Sequence, residues 1–83
     1  MKIVFDPVKD ALNIAKHGMS LARAADLDVL AFVPDGRFAE PRFRLYGLID
    51  GQACCAAGTD RDGVVRVISL RRAHAKEMRR YVP

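Results

Sequence analysis

Two Asp-Gly pairs lie between apolar runs in the second half of this 83-residue chain. The first pair, Asp50-Gly51, separates "RFRLYGLI" from "QACCAAGT", and the second ends the segment "TDRDG" before "VVRVISL". Asp-Gly between apolar segments is the strongest short-range signal of a β-hairpin, because both residues tolerate positive φ. The two pairs therefore predict consecutive antiparallel strands, and the run "VLAFVPDGRF" adds another strand that ends in a Pro-Asp-Gly turn.

The first third of the chain has the pattern of helices. After a short apolar run, "KIVF", Asp6 and Pro7 give a capping carboxylate followed by proline at the first helical position. His17-Gly18 ends this helix, and Ser20 can cap a second, short one. We expect the apolar residues at helical spacing to be buried; this predicted stripe is Val8, Ala11, Leu12 and Ala15. The predicted solvent side holds Lys9, Asn13 and Lys16.

The order of these elements predicts the fold class. An N-terminal strand and two helices precede an antiparallel sheet of about four strands, and a C-terminal helix follows. Such segregation is typical of α+β proteins, and the length fits a single domain over residues 1–83. No apolar run is long enough to span a bilayer, and the start lacks the apolar stretch of a signal peptide, so we expect a cytoplasmic protein without membrane contact.

Positive charge is concentrated at the C-terminal end. The net charge is +4, and residues 61–83 hold seven Lys or Arg against two acids, whereas the other sixty residues hold seven against eight. A local basic patch indicates a polyanion or an acidic protein as partner. A helix counted from Leu70 at about 100° per residue would separate two faces. The expected packing face holds Tyr81, His74, Met78, Val82 and Ala75, with Arg71 at its rim. The expected basic face holds Arg72, Lys76, Arg79 and Arg80.

Two sequence blocks, in this order, resemble one family. The opening block contains Phe5-Asp6-Pro7, Lys9, Asn13, Lys16-His17-Gly18 and Ser20. The closing block contains Thr59-x-Arg61, Arg66-Val-Ile-Ser69-x-Arg71-Arg72-Ala73, Glu77 and Tyr81. Together they are similar to the BrnT-type toxins of bacterial type II toxin–antitoxin systems. The middle departs from that pattern, because Ala39-Glu40-Pro41-Arg42 replaces a Gly-Glu-x-Arg block and Gly58 stands where the family has a larger residue.

The resemblance implies a RelE-like fold and an endoribonuclease that needs no cofactor. It also implies a BrnA-like, DNA-binding antitoxin that silences the enzyme, with operator DNA bound only through that complex. RNA carries its own nucleophile, since a 2′-hydroxyl can attack the adjacent phosphate. The protein must then align the strand, neutralise charge and move protons, for which no metal is obligatory.

Arginine suits the charge-stabilising role, because its planar fork binds phosphate bidentately and stays charged. Arg61 and Arg71 are the first candidates, and the alternative for each is an ion pair with an acid such as Asp60 or Glu77. Proton transfer needs a titratable group. The candidates are His17, Glu40 and Tyr81, whose structural alternatives are a helix cap, a solvated charge and core packing. The candidate RNA-binding residues are Arg72, Lys76, Arg79, Arg80, Lys9 and Lys16, and the two lysines equally fit a solvated helix face.

A second interpretation comes from another functional class. The chain could be a non-catalytic module, an inactive relative of the toxins that acts in an antitoxin complex on operator DNA. The small residue at Gly58 favours it. Both kinds of protein would bind nucleic acid in a salt-sensitive way, but only the ribonuclease would cut, and only where a 2′-hydroxyl is present.

Overall fold

The computed structural model describes residues 1–83, which form a five-stranded mixed sheet with helices on both sides. The strands are β1 (Ile3–Val4), β2 (Asp28–Asp35), β3 (Arg42–Ile49), β4 (Gln52–Arg61) and β5 (Val64–Arg72). The helices are α1 (Pro7–His17), a 3-10 helix (Leu21–Asp26) and α2 (Ala75–Tyr81). The α+β class is confirmed. Neither α-helix has the length and apolar character needed to cross a membrane.

The sheet has the order β1-β5-β4-β3-β2, so the prediction of about four antiparallel strands is wrong in one respect. β1 joins the sheet in parallel with β5, with Ile3 opposite Val65 and Val4 opposite Arg66. A strand of two residues has no periodicity of its own, and its pairing depends on a segment sixty residues away. The other four strands form the expected antiparallel meander.

Both predicted hairpins are present with two-residue turns. Asp50 and Gly51 have φ of 49° and 78°, and Asp62 and Gly63 have φ of 57° and 81°. Positive φ at both central residues is the geometry that matches the twist of the flanking strands. β4 therefore extends to Arg61, and only the last two residues of "TDRDG" form the turn.

One face of the sheet, here called the core face, packs against the 3-10 helix. The core consists of Leu21, Ala24, Leu27, Leu45, Ile49, Cys54, Ala56, Val67 and Leu70, with Ile3, Phe5, Met19, Phe43 and Val65 packed against it. Ser20 caps the 3-10 helix as expected, since its Oγ accepts a hydrogen bond from the N–H of Ala22 at 3.2 Å. The opposite face of the sheet, here called the outer face, carries α2.

The predicted orientation of α1 is wrong. Asn13 is the buried residue of this helix, whereas Val8 and Leu12 are 68% and 65% exposed. The Asn13 Nδ2 donates to the carbonyls of Met19 and Leu70, both at 2.8 Å, and Oδ1 accepts from the N–H of Leu70 at 3.1 Å. β1 ends at Val4, so on this edge of β5 no strand pairs with Leu70. The side-chain amide of Asn13 instead makes the two hydrogen bonds with Leu70 that the backbone of a neighbouring strand would make. The helix therefore turns its polar residue inward and its apolar stripe outward.

A β-bulge in β5 changes which residues face the core. Ala57 of β4 lies opposite Ser69, whereas its neighbour Gly58 lies opposite Val67, so Ile68 has no partner. Strict alternation from Val67 would place Ser69 and Arg71 in the core. The extra residue instead places Leu70 in the core and turns Ser69 and Arg71 to the outer face.

The C-terminal helix begins later than predicted. β5 stays paired with β4 through Arg71 and Arg72, so α2 begins only at Ala75, with His74 as its cap. His74 and Ala75 are exposed, which contradicts the packing face expected for them, and the half-buried residues of this segment include Glu77, Met78, Tyr81 and Val82. The helical residues Lys76, Arg79 and Arg80 are exposed as expected. Arg72 does not join them, because its strand partner is Cys54 of the core face.

Candidate active site and nucleic-acid interface

Three strands each place arginine on the outer face. Arg42 and Arg44 alternate with core residues on β3, Arg61 ends β4, and Arg66 and Arg71 lie on β5. Between them, β4 presents the small residues Cys55 and Ala57 to this face. The small residues of "CCAAG" therefore leave the surface low along β4, between the arginines of β3 and those of β5.

Three depressions adjoin one another across this face, and together they are called the outer-face groove. The first lies against α2, the second over the middle of the sheet, and the third beside α1. Arg44 lines both the first and the second, while Ile68 and Ser69 line both the second and the third. The polar and aromatic residues along the groove include Lys76, Glu77, Arg80, Tyr81, Arg44, Asp35, Arg37, Phe38, Arg42, Ser69, Lys9, Lys16 and His17.

At the α2 end, the Glu77 carboxylate accepts hydrogen bonds from two side chains, those of Arg71 and Tyr46. Together with Arg44 and Tyr81, these groups are called the Glu77 cluster. Arg71 donates from Nη1 to Glu77 Oε1 at 2.8 Å and from Nη2 to Oε2 at 2.9 Å. The Tyr46 hydroxyl donates to Oε2 at 3.0 Å and accepts from Arg44 Nη1 at 2.9 Å. The backbone N–H of His74 also donates to Oε1, at 3.1 Å. Glu77 thus fixes the start of α2 and connects this helix to β3 and β5.

Two tyrosines hold the other end of α2. The rings of Tyr46 and Tyr81 stack with centroids 5.0 Å apart and an interplanar angle of 17°. The guanidinium carbons of Arg44 and Arg80 each lie 5.3 Å from the Tyr81 ring centroid, within the range of cation–π attraction. Tyr46 is fully buried beneath this layer, while Tyr81 reaches the surface of the groove.

The charges of the Glu77 cluster follow from these contacts. Hydrogen bonding from Arg71 lowers the pKa of Glu77 to about 2, and the same bond raises the pKa of Arg71. Burial, and then the neighbouring Glu77, raises the pKa of Tyr46. At neutral pH the cluster therefore holds an ionised carboxylate, two cationic guanidinium groups and a protonated phenol.

Acidification should detach α2 from the sheet. Glu77 has an ordinary pKa of 4.5 and a folded-state pKa of about 2, so its contribution to stability is fully present above about pH 5 and is lost as the pH falls toward 2. Tyr46 and Tyr81 are the two tyrosines of a chain without tryptophan, so the tyrosine band in near-ultraviolet circular dichroism reports their stack. We expect this band to weaken across that window. Glu77→Gln should show the weakened band already at pH 7, and a band in this variant as strong as the wild type would contradict the assignment.

The two predicted phosphate-binding arginines are not together in the structure. Arg71 lies opposite Cys55 and Arg61 lies opposite Val64, six positions apart along β4, or roughly 20 Å. Arg61 instead pairs with Glu40, from Nε to Oε1 at 2.9 Å and from Nη2 to Oε2 at 3.2 Å, and this pair is exposed. The bond from Arg61 lowers the pKa of Glu40.

The remaining candidates divide between two places. Tyr81 joins Arg71 in the Glu77 cluster, whereas His17, Lys9 and Lys16 line the α1 end of the groove beside Ser69. Tyr46 and Arg44 were missed in the sequence, although the alternation in "RFRLY" places Arg42, Arg44 and Tyr46 on one face. This alternation could have identified them, because a strand buried on both faces would carry apolar residues at these positions rather than two cations and a phenol.

Gly58 lies on the core face, opposite the core residue Val67. A Cβ placed there would lie 2.8 Å from the carbonyl oxygen of Arg66, so the backbone of β5 is too close to Gly58 to leave room for a side chain. A larger residue at this position of the same fold would point away from the outer-face groove. The small residue therefore removes nothing from the groove itself.

Cys54 and Cys55 are both free and buried, on opposite faces of β4. His, Cys, Asp and Glu side chains do not come together in groups of three or more.

Comparisons with known proteins agree with this architecture. A family model described as "Ribonuclease toxin, BrnT, of type II toxin-antitoxin system" matches residues 5–77. The fold is similar to the crystal structure of the Brucella abortus ribonuclease toxin, BrnT, with a TM-score of 0.69 and 28% sequence identity. That similarity covers 89% of this chain and 97% of the Brucella chain. The comparison with curated proteins gives no match. Because the family match spans most of the sequence, this chain belongs to the BrnT family of ribonuclease toxins of type II toxin–antitoxin systems.

Proposed function

We propose that this chain is a RelE-like endoribonuclease toxin that cuts RNA in the cytoplasm and is neutralised by a BrnA-like antitoxin. Cleavage would proceed by attack of a 2′-hydroxyl on the adjacent phosphorus, with the P–O5′ bond breaking. The products would be a 2′,3′-cyclic phosphate and a 5′-hydroxyl. The observation that carries the proposal is the Glu77 cluster, a bidentate arginine site at the end of a basic groove.

Arg71 would bind the scissile phosphate in the place that the Glu77 carboxylate occupies in the free chain. Carboxylate and phosphate both present two oxygens to an arginine fork, so the geometry suits either anion. Arg44 would assist, because it lines the groove both against α2 and over the middle of the sheet and bonds to Tyr46 within the same cluster. The two guanidinium groups would then neutralise charge that develops on the phosphorane.

Proton transfer could use groups of the same cluster. Once a phosphate replaces Glu77 on Arg71, the pKa of Glu77 would rise toward its ordinary value, and the carboxylate would become a better base for the 2′-hydroxyl proton. The hydroxyl of Tyr81, which reaches the surface of the groove, would serve the leaving 5′-oxygen, while the buried Tyr46 would hold Glu77 in place. His17 and Glu40, at other parts of the outer face, stay candidates, and single alanine variants of each would test them.

The rest of the groove would hold the strand. Phe38 is 41% exposed, and the guanidinium carbon of Arg42 lies 4.0 Å from its ring centroid. Exposed aromatic rings interleaved with cations are typical of surfaces that bind single strands by base stacking and phosphate contact. Lys9, Lys16, Lys76 and Arg80 would add phosphate contacts at the two ends.

The salt dependence of RNA binding tests this path. Each phosphate neutralised on a single strand contributes roughly −0.7 to the slope of log affinity against log salt. Arg42→Gln combined with Arg80→Gln should therefore reduce the slope by about 1.4, measured with a catalytically impaired background at several salt concentrations. The control is Arg23→Gln combined with Arg72→Gln, because these residues line a depression on the other side of the sheet. A reduced slope in the control with an unchanged slope in the first variant would place the RNA on that side.

The decisive experiment compares three oligonucleotides of one sequence: RNA, DNA, and RNA with one 2′-deoxy residue at the mapped cut. Each is incubated with purified protein with and without a chelator. Cleavage of RNA alone, with cyclic phosphate and 5′-hydroxyl ends, supports the proposal. Cleavage that the chelator abolishes, or that proceeds at the 2′-deoxy position, would rule out the mechanism.

The non-catalytic alternative has one observation in its favour. Both oxygens of Glu77 occupy the Arg71 fork, so the free chain holds its strongest candidate for phosphate binding in an internal ion pair. A module that only binds an antitoxin could keep that pair permanently. Intact RNA after incubation with folded protein, together with salt-sensitive binding, would favour this alternative.

A further inference from the structure

The exposed side of α1 is apolar. Val8, Ala11, Leu12 and Ala15, here called the α1 stripe, lie one above another on the helix and are all exposed. Asn13, the buried residue, lies about 150° around the helix from the centre of this stripe. An apolar face at helical spacing normally packs against a core, so its exposure in the free chain indicates that another molecule covers it.

One border of the α1 stripe is basic. Lys9 and Lys16 lie about 80–100° around the helix from Val8, between the stripe and the outer-face groove. The other border is apolar, because Ile14 is 47% exposed. A partner that fits this surface therefore has an apolar face with carboxylates along one edge only.

We propose that the α1 stripe is where the antitoxin docks, through an amphipathic helix whose acidic edge pairs with Lys9 and Lys16. The proposal rests on the proposed function, since it assigns a contact surface to the partner of a toxin. Docking there would also occupy the two lysines at the α1 end of the groove, so the same contact would hinder RNA from binding.

The shape of the α1 stripe suits a helix. Ala11 and Ala15 are small, so the axis of a second helix can come close while Val8 and Leu12 enter the grooves between its side chains. The eleven residues of α1 extend over about 16 Å, or three turns of a partner helix.

Other occupants fit less well. A second copy would bring together two chains of net charge +4, with lysines from both beside the contact. A membrane surface would gain little, because the stripe offers two large apolar side chains and no aromatic ring, and interfacial binding scales with buried apolar area. The free edge of β2 is protected against an added strand by a bulge between Val29 and Ala31 and by Pro34.

The test uses the protein encoded beside this chain's own gene as the antitoxin, titrated against wild-type chain and variants. Val8→Asp and Leu12→Gln should each weaken the complex at least about tenfold, as central interface residues do. Both positions are exposed, so thermal midpoints should stay near that of the wild type. Lys9→Glu combined with Lys16→Glu should also weaken it. The matched control is Leu30→Asp, an exposed apolar residue of β2.

Four results would overturn the proposal. The control could weaken binding while the stripe variants do not, which would move the contact to the β2 edge. The stripe variants could instead lose self-association, or lose binding to phosphatidylglycerol vesicles. Failure of the adjoining protein to bind wild-type chain would also overturn it, and RNA cleavage by the same preparations would show separately whether the ribonuclease proposal fails.

Discussion

Replacing Arg71 with alanine should slow single-turnover RNA cleavage by on the order of a hundredfold or more, while RNA affinity falls much less. An interaction that is stronger in the transition state than in the ground state has this signature, and loss of one such donor typically costs this much. Arg71→Lys keeps the charge but loses the fork, so it should recover only part of the rate. Rate, affinity and thermal midpoint should be measured on each variant.

The matched control is Arg66→Ala, because Arg66 lies on the same strand and the same face but outside the Glu77 cluster. Arg71→Ala also leaves the half-buried Glu77 without its main partner, which could lower stability. Arg71→Ala combined with Glu77→Gln removes that unpaired charge and should regain midpoint. Because Glu77 is itself a candidate base, the rate of the double variant is compared with that of Glu77→Gln alone and should be lower. Equal losses of affinity and rate in the single variant would make Arg71 a binding residue only, and a double variant as fast as Glu77→Gln alone would make its role structural.

Replacing Asn13 with alanine should give the largest loss of stability among single changes to α1. The backbone N–H and C=O of Leu70 would lose their partner at a buried position, and so would the carbonyl of Met19. Each unsatisfied buried group costs about 1–3 kcal/mol, so we expect a total of roughly 3 kcal/mol, which is a large share of the stability of a domain this size. The thermal midpoint should fall by roughly 12–24 °C.

Two further variants identify the cause of that loss. Leu12→Ala changes the neighbouring residue, which is 65% exposed, and should leave the midpoint nearly unchanged. Asn13→Asp keeps the size and the acceptor for the Leu70 N–H but cannot donate to either carbonyl when ionised, so it should be nearly as damaging as alanine. A fall of less than about 4 °C for Asn13→Ala would show that water replaces the amide.

Local signals in the sequence predicted the hairpins well. Asp50-Gly51 and Asp62-Gly63 determine their turns through the φ values that these residues tolerate, and no distant contact is needed. The orientation of α1 was not predictable in this way. Hydrophobic periodicity assigns the apolar side to the core, but the inward residue is chosen by an unpaired strand edge at Leu70, which exists because β1 is short.

The candidate site was predicted in part for similar reasons. The sequence places Arg71 and Tyr81 near the C-terminal helix, and the structure brings them into one cluster through Glu77. The two-residue turn at Asp62-Gly63 places Arg61 next to the turn and Arg71 far along the strand, so the hairpin geometry separates them. Arg72 was assigned to a helix because a basic run at the end of a strand has the same composition as one at the start of a helix.

The unpaired Ile68 divides β5 into two segments whose side chains alternate in opposite phases. Residues before it alternate in one phase and residues after it in the other, so the core contacts of Val67 and Leu70 are both kept while Arg71 reaches the outer face. If Ile68 were paired with Ala57 instead of bulging, every later residue of β5 would shift by one position, and Arg71 would face the core and Leu70 the groove. Deleting Ile68 in frame should be tolerated, because it joins Val67 directly to Ser69 and regular alternation keeps Leu70 in the core and Arg71 on the outer face. In evolutionary terms, the bulge absorbs one extra codon without changing the face on which any other residue of the strand lies.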